Sequence, residues 1–197
     1  MADAKGIKTE NFEKVEVASA DELRGFLLEN HAQEPSVWLV TYKKIQPDKY
    51  VSTGEVLDEL LAFGWVDGIR RKLDDERTMQ LIGPRRSQHW SKTYKDRAAK
   101  LEEEGRMHDA GRAAIARSKK EGLWDFLNDV DALIKPDDLV EELQRKPPAL
   151  EVFDAFGPAV QRFALREVKL AKTPETRAKR IDDISTRAQN GQKPKGT

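Results

Sequence analysis

Two hydrophobic periods share this chain. In the first half, "FEKVEV" (residues 12–17) alternates apolar and polar positions, and "SVWLVTYKK" (36–44) is β-branched and aromatic. Both predict strands. Between them, "SADELRGFLLENH" opens on Ser19 and Glu22 in capping-box spacing and sets Leu23, Phe26 and Leu27 on one helical face. "STGEVLDELLAFG" repeats the logic with Ser52 and Glu55 and closes on Gly64, as glycine does just past a helix end. "WVDGIRRKL" and "TMQLI" flank the polar turn "DDER", which predicts a hairpin ended by Gly83-Pro84.

Beyond Trp90 the period becomes helical. "SKTYKDRAAKLEEEG" and "DAGRAAIARSKKEG" are Ala-, Lys- and Glu-rich and each ends in Gly. "KPDDLVEELQRK", "PPALEVFDAFG", "PAVQRFALREVKLAK" and "TPETRAKRIDDISTRAQNG" continue the run, the last with Thr173 as cap and Pro174 at the first helical position. Phe156, Phe163 and Val168 recur among charges and are expected in its core. Strands in one half and helices in the other predict an α+β fold: a small antiparallel sheet with helices, then a helical half. The expected division is an α+β core domain at 12–90 and a helical subdomain at 91–190. Residues 1–11 and 191–197 lack apolar anchors and are expected to be flexible tails.

Composition narrows the function. The 197 residues hold 35 Lys plus Arg against 35 Asp plus Glu, so no global field favours nucleic acid or an acidic membrane. There is no cysteine, which excludes disulfides and thiolate metal sites. The N-terminal stretch has no apolar run of signal-peptide length, and no run is long enough to span a bilayer. A cytoplasmic protein without membrane insertion is the expectation.

Candidate chemistry gathers at residues 62–92. Alternation places Trp65 and Asp67 on one strand face, and Gly68 permits a bulge or a close backbone approach. Arg85 and Arg86 follow the second strand, and guanidinium forks suit carboxylates and phosphates. Hairpin geometry leads us to expect Asp67 to meet at least one of the two arginines, with Trp65 and Trp90 as stacking platforms beside an anion. The competing reading is a plain structural ion pair with Trp65 in the core. Ser87, His89 and Ser91 lack a G-x-S-x-G elbow, and Ser91 reads better as a helix cap. His31, His89 and His108 are scattered and form no metal motif, so neither a metal nor another cofactor is expected. Arg177 either completes an anion site or is a solvated residue of a docking helix.

Several motifs carry a family resemblance. "LLENHAQEPSVWLVTYKK", "LLAFGWVDG", "GPRRSQHWSK", "LEEEGRM", "GLWDFL" and "KTPETRAKRI" resemble, in order, the YdeI or OmpD-associated family of bacteriocin-protection proteins, over about Leu23 to Ile181. That resemblance implies a soluble bacterial protein with a role in protection against bacteriocins or antimicrobial peptides, or in envelope stress. It transfers no catalytic residue. Members often carry Cys where this chain has Ala62, which argues against a shared cysteine nucleophile. They also commonly have Thr-Pro where this chain has His108-Asp109, and Asp109 is expected to cap the helix there.

Three functions compete. The first is a module that binds a small anionic ligand or a protein partner through Trp65, Asp67, Gly68, Arg85, Arg86 and Trp90. The second is an enzyme acting on a small anionic substrate with Asp67 and Arg85 or Arg86. The third, a nucleic-acid binder, is disfavoured by the neutral chain.

Overall fold

The computed structural model describes residues 11–196. The chain divides into two compact units, Met1–Trp124 and Asp125–Thr197, each around its own hydrophobic core. The first unit runs β1 (Lys14–Glu16), α1 (Ala20–Asn30), β2 (Val37–Tyr42), a 3-10 turn at Pro47–Lys49, α2 (Thr53–Ala62), β3 (Trp65–Lys72), β4 (Arg77–Pro84), α3 (Lys92–Glu103) and α4 (Asp109–Lys120). The α+β expectation holds, with strands in the N-terminal half and a helical C-terminal half.

Among the described residues, four strands lie in the order β1-β2-β4-β3. β4 is antiparallel to both neighbours, while β1 joins β2 in parallel. The sheet is therefore mixed, not wholly antiparallel as expected. The reason is α1, which carries the chain across before β2 begins and so returns it in the same direction. Val37 and Leu39 of β2 and Ile82 of β4 belong to the core, where they meet Leu23 and Leu27 of α1 and Val56, Leu60 and Leu61 of α2. Each fully buried side chain of this size contributes about 1.5–3 kcal/mol. Capping explains where α2 starts. Ser52 Oγ accepts from the Glu55 amide at 3.2 Å, and Glu55 accepts from the Ser52 amide at 2.8 Å.

The same core takes in Trp90, Ala98, Leu101 and Met107. Compact-unit division thus falls between Trp124 and Asp125, whereas the composition shift placed it near Trp90. Ala-, Lys- and Glu-rich composition reports helix propensity, and a few apolar positions decide which core a helix joins. The turn from α2 into β3 passes close to α4. Gly64 has φ +72°, and a Cβ there would lie 2.8 Å from Ala114 Cβ and 2.9 Å from the Ala110 carbonyl. Only glycine serves both demands.

The second unit holds α5 (Asn128–Asp131), α6 (Asp137–Arg145), α7 (Ala149–Ala155), α8 (Pro158–Lys169) and α9 (Pro174–Gln189). Its core is built on Leu139, Leu143, Phe153, Leu165, Val168, Ile181 and Ile184. Val168 is buried as expected, but Phe156 and Phe163 are only half-buried, and Phe153 holds the central position. Of the expected tails, residues 1–10 and 197 lie outside the described residues. Residues 191–196 are less loose than expected, since Pro194 is buried and Gly196 lies close to the Phe163 ring. Among the described residues, no helix is long and apolar enough to cross a membrane.

Candidate functional site

The hairpin β3–β4 forms as read, with its turn between Lys72 and Arg77. Its register decides the fate of the expected constellation. Asp67 faces Ile82, whereas the Arg85 amide donates to the Gly64 carbonyl at 2.9 Å. Arg85 therefore stands three strand positions from Asp67, roughly 10 Å along the strand. No ion pair joins Asp67 to Arg85 or Arg86, which corrects the expected meeting across the hairpin. Asp67 instead accepts from the Tyr94 hydroxyl at 2.7 Å and from Gln80 Nε2 at 2.9 Å. Gln80 in turn accepts from Arg70 Nη2 at 2.7 Å. Gly68 meets its expectation, lying at a register shift where a Cβ would come within 3.3 Å of the Leu81 carbonyl.

The two tryptophans are structural. Trp65 and Trp90 are each 1% exposed, so neither offers a face to a ligand. Trp65 donates its indole N–H to the His31 carbonyl at 3.1 Å and meets Phe26 edge-on at 6.2 Å. Trp90 packs against Trp124, ring centroids 4.9 Å apart. The expectation of stacking platforms is overturned because both indole rings are enclosed in the first unit's core.

Arg85 is the unusual residue. It is 3% exposed, yet it makes no ion pair within 4.0 Å among the described residues. Its guanidinium carbon lies 4.2 Å from the Trp90 ring centroid and 5.2 Å from that of Tyr94. One long bond leaves it, from Nη1 to the Gln88 carbonyl at 3.3 Å, and Nε has no partner. Burial pulls its pKa down to about 10, an effect opposed by Tyr94 and Asp67 nearby. It remains a cation at neutral pH, held by ring faces where a carboxylate would be usual.

Arg85 lines a groove of about 670 Å³ together with Arg86, Arg117, His31, Glu34 and Glu121, over Phe63 and Ala114. Arg117 donates from Nη2 to the Arg85 carbonyl at 2.5 Å, and Arg86 donates from Nη2 to the Glu34 carbonyl at 3.1 Å. His31 sits beside His108, ring centroids 4.8 Å apart, at the junction of α1 and α4. The arrangement offers several N–H donors to a carboxylate or phosphate.

Comparison with protein families matches residues 15–114, about half of the chain, to a domain of unknown function, DUF8412. Residues 132–191 match the family described as bacteriocin-protection, YdeI or OmpD-associated. The chain belongs to the DUF8412 family and carries a YdeI or OmpD-associated segment in its second unit. No curated protein and no solved structure matches it. The resemblance noted from about Leu23 to Ile181 thus spans two family models, with the hairpin, Arg85 and Arg86 inside the DUF8412 match, Arg117 and Glu121 just beyond its end, and the "KTPETRAKRI" motif inside the YdeI or OmpD-associated one.

Within the YdeI or OmpD-associated segment, Arg177 is committed to structure. Its Nε and Nη2 grip Asp138 at 2.6 and 2.8 Å, and Nη1 donates to the Val168 carbonyl at 3.2 Å. In the DUF8412 unit, α4 is capped by His108, whose Nδ1 accepts from the Ala110 amide at 3.2 Å; Asp109, expected as the cap, is the first residue of the helix. Ser91 takes its cap position without a side-chain cap bond. Sequence reasoning missed Tyr94, Gln80 and Arg117. Tyr94 had a signal, as an aromatic residue in the first turn of a helix otherwise rich in charged residues. Arg117 had none, because only the packing of α4 against the α2–β3 turn brings it to Arg85.

Proposed function

We propose that the DUF8412 unit binds the anionic group of a small ligand or protein partner in this groove, with Arg85, Arg86 and Arg117 as donors. One observation carries the reading: a guanidinium that is almost wholly buried, without a carboxylate and with an unpartnered Nε. Leaving a buried charge unpaired costs several kcal/mol in general. An incoming carboxylate or phosphate would offset that cost, and Arg85 lines the groove beside Arg86 and Arg117. Trp65, Gly68 and Trp90 serve the site from behind, as packing. Asp67 holds Tyr94 in place, and both of its oxygens already accept hydrogen bonds, which favours positioning over general-base catalysis. Binding is thus better supported than an enzymatic role. The balance of 35 basic and 35 acidic residues gives no support to a nucleic-acid ligand.

The wider setting we infer is a bacterial cytoplasmic protein with a part in bacteriocin protection or envelope stress. Support for this is the match of residues 132–191 to a family described by bacteriocin protection. The binding reading is tested by thermal unfolding at constant ionic strength with chloride, acetate or phosphate. Acetate or phosphate should stabilise the protein beyond chloride, and Arg86→Ala and Arg117→Ala should each reduce the gain. Equal shifts for all three salts, or gains untouched by both variants, would overturn the assignment.

A further inference from the structure

The charges around the groove come in unlike neighbours that do not close on each other. On one wall, α4 supplies Arg117 and, beyond its C-terminus, Glu121, four residues and about 6 Å apart along the helix axis. Arg before Glu is the less favourable order for such a pair, and Arg117 turns to the Arg85 carbonyl instead. On the facing wall, the loop after α1 supplies Glu34, whose carbonyl, not its carboxylate, accepts from Arg86. Arg85, Arg86, Arg117, Glu34 and Glu121 make no ion pair among the described residues, in a protein whose surface arginines are otherwise mostly paired, as Arg77, Arg97, Arg106, Arg112 and Arg177 are.

A purely anionic ligand would satisfy the arginines and be repelled by both carboxylates. A ligand with a carboxylate and a cation a few atoms apart satisfies both sets. Resting on the anion-binding reading above, we propose that the groove takes a zwitterion of this kind: a basic amino acid, or the C-terminal residue of a basic peptide. The carboxylate goes to Arg85 and Arg117, and the ammonium or guanidinium goes to Glu34 and Glu121 at the rim. The apolar stem between them lies on Pro84, Ala110 and Ala113, which line the same groove and are not buried.

Titration calorimetry on the full chain separates the two readings. The probes are acetate, butylammonium, L-lysine, a tripeptide ending in lysine and the C-terminal amide of that tripeptide. L-lysine or the free-acid tripeptide should bind at least about tenfold more tightly than acetate. Tight binding by lysine alone identifies a free amino acid, and tight binding by the tripeptide but not its amide identifies a peptide terminus. Glu34→Gln with Glu121→Gln, both at exposed positions, should erase the preference over acetate while leaving acetate binding intact. Arg117→Gln should weaken every carboxylate ligand. If acetate binds and no zwitterion binds better, or if the double variant keeps the preference, the ligand class is wrong and the anion site stands. If neither acetate nor a zwitterion binds, both readings fall.

Discussion

The Tyr94 hydroxyl donates a 2.7 Å hydrogen bond to Asp67, and the ring of the same tyrosine lies 5.2 Å from the Arg85 guanidinium carbon. Asp67 and Arg85 are thus linked through an aromatic ring instead of by direct contact. The link extends outward through Gln80 to Arg70 at the sheet edge. Tyr94→Phe keeps the ring under the guanidinium and removes only the hydroxyl. It should cost about 1 kcal/mol in urea denaturation, the usual worth of one partly buried hydrogen bond to a charged group or slightly less. No measurable change would show that solvent replaces Tyr94 at Asp67 without penalty.

Close passage of α4 over the α2–β3 turn sets one wall of the groove. Gly64→Ala should therefore be strongly destabilising, because the added Cβ meets Ala114 and the Ala110 carbonyl while the backbone keeps φ +72°. A loss above about 2 kcal/mol is expected, combining left-handed strain and overpacking. Anion-induced stabilisation should fall with it. A variant as stable as the parent would mean that α4 does not seat where the groove requires.

In the second unit, Phe153 and Phe163 make a matched pair of probes. Phe153 is fully buried and Phe163 half-buried. Phe153→Ala should cost about 3–5 kcal/mol, and Phe163→Ala clearly less. Equal losses in chemical denaturation would place Phe163 in the core after all.

Acid should act on the same unit through Asp138. The Arg177 hydrogen bonds hold its carboxyl below the ordinary value of 3.8, with burial opposing them. A carboxyl whose folded pKa is depressed adds stability above its unfolded value, and that contribution is lost as pH falls through the folded one. Asp138→Asn should lower stability at neutral pH and flatten its decline below about pH 4. Circular dichroism across an acid titration checks this, and an unchanged pH profile would contradict it.

Much of the fold was legible because its signals are local. Ser52 with Glu55, Thr173 before Pro174, and the polar turn between Lys72 and Arg77 are each read from a few neighbouring residues. β1 was misread in direction, since its pairing depends on where α1 returns the chain. The site was half legible. Arg85 stood out in the sequence as part of a guanidinium pair, but its distance from Asp67 is a matter of register, and register is fixed by the whole β3–β4 ladder. In the sequence Trp65 and Trp90 read as platforms because aromatic residues near arginines suit that role. Their burial depends on α1, α3 and Trp124, which no spacing within residues 62–92 reports. Arg117 and Glu121 come from a helix whose sequence carries no binding signal and gain meaning only from where that helix lies.

Under the proposed function Arg85 is a buried cation kept for an anion, and Arg85→Met tests that most directly. Its pKa of about 10 lies below that of a solvated arginine, so the folded state holds the proton less tightly than the unfolded chain does. At neutral pH the charge therefore costs stability, and replacing it with an apolar side chain of similar length should be neutral or stabilising. The measurement is the melting temperature of parent and variant, each with and without acetate or phosphate at fixed ionic strength. The variant is expected to melt at or above the parent temperature without anion and no longer to respond to the anion. A variant that melts far lower and keeps the parent's anion response would show Arg85 to be a structural cation between two rings, and the binding site would lie elsewhere.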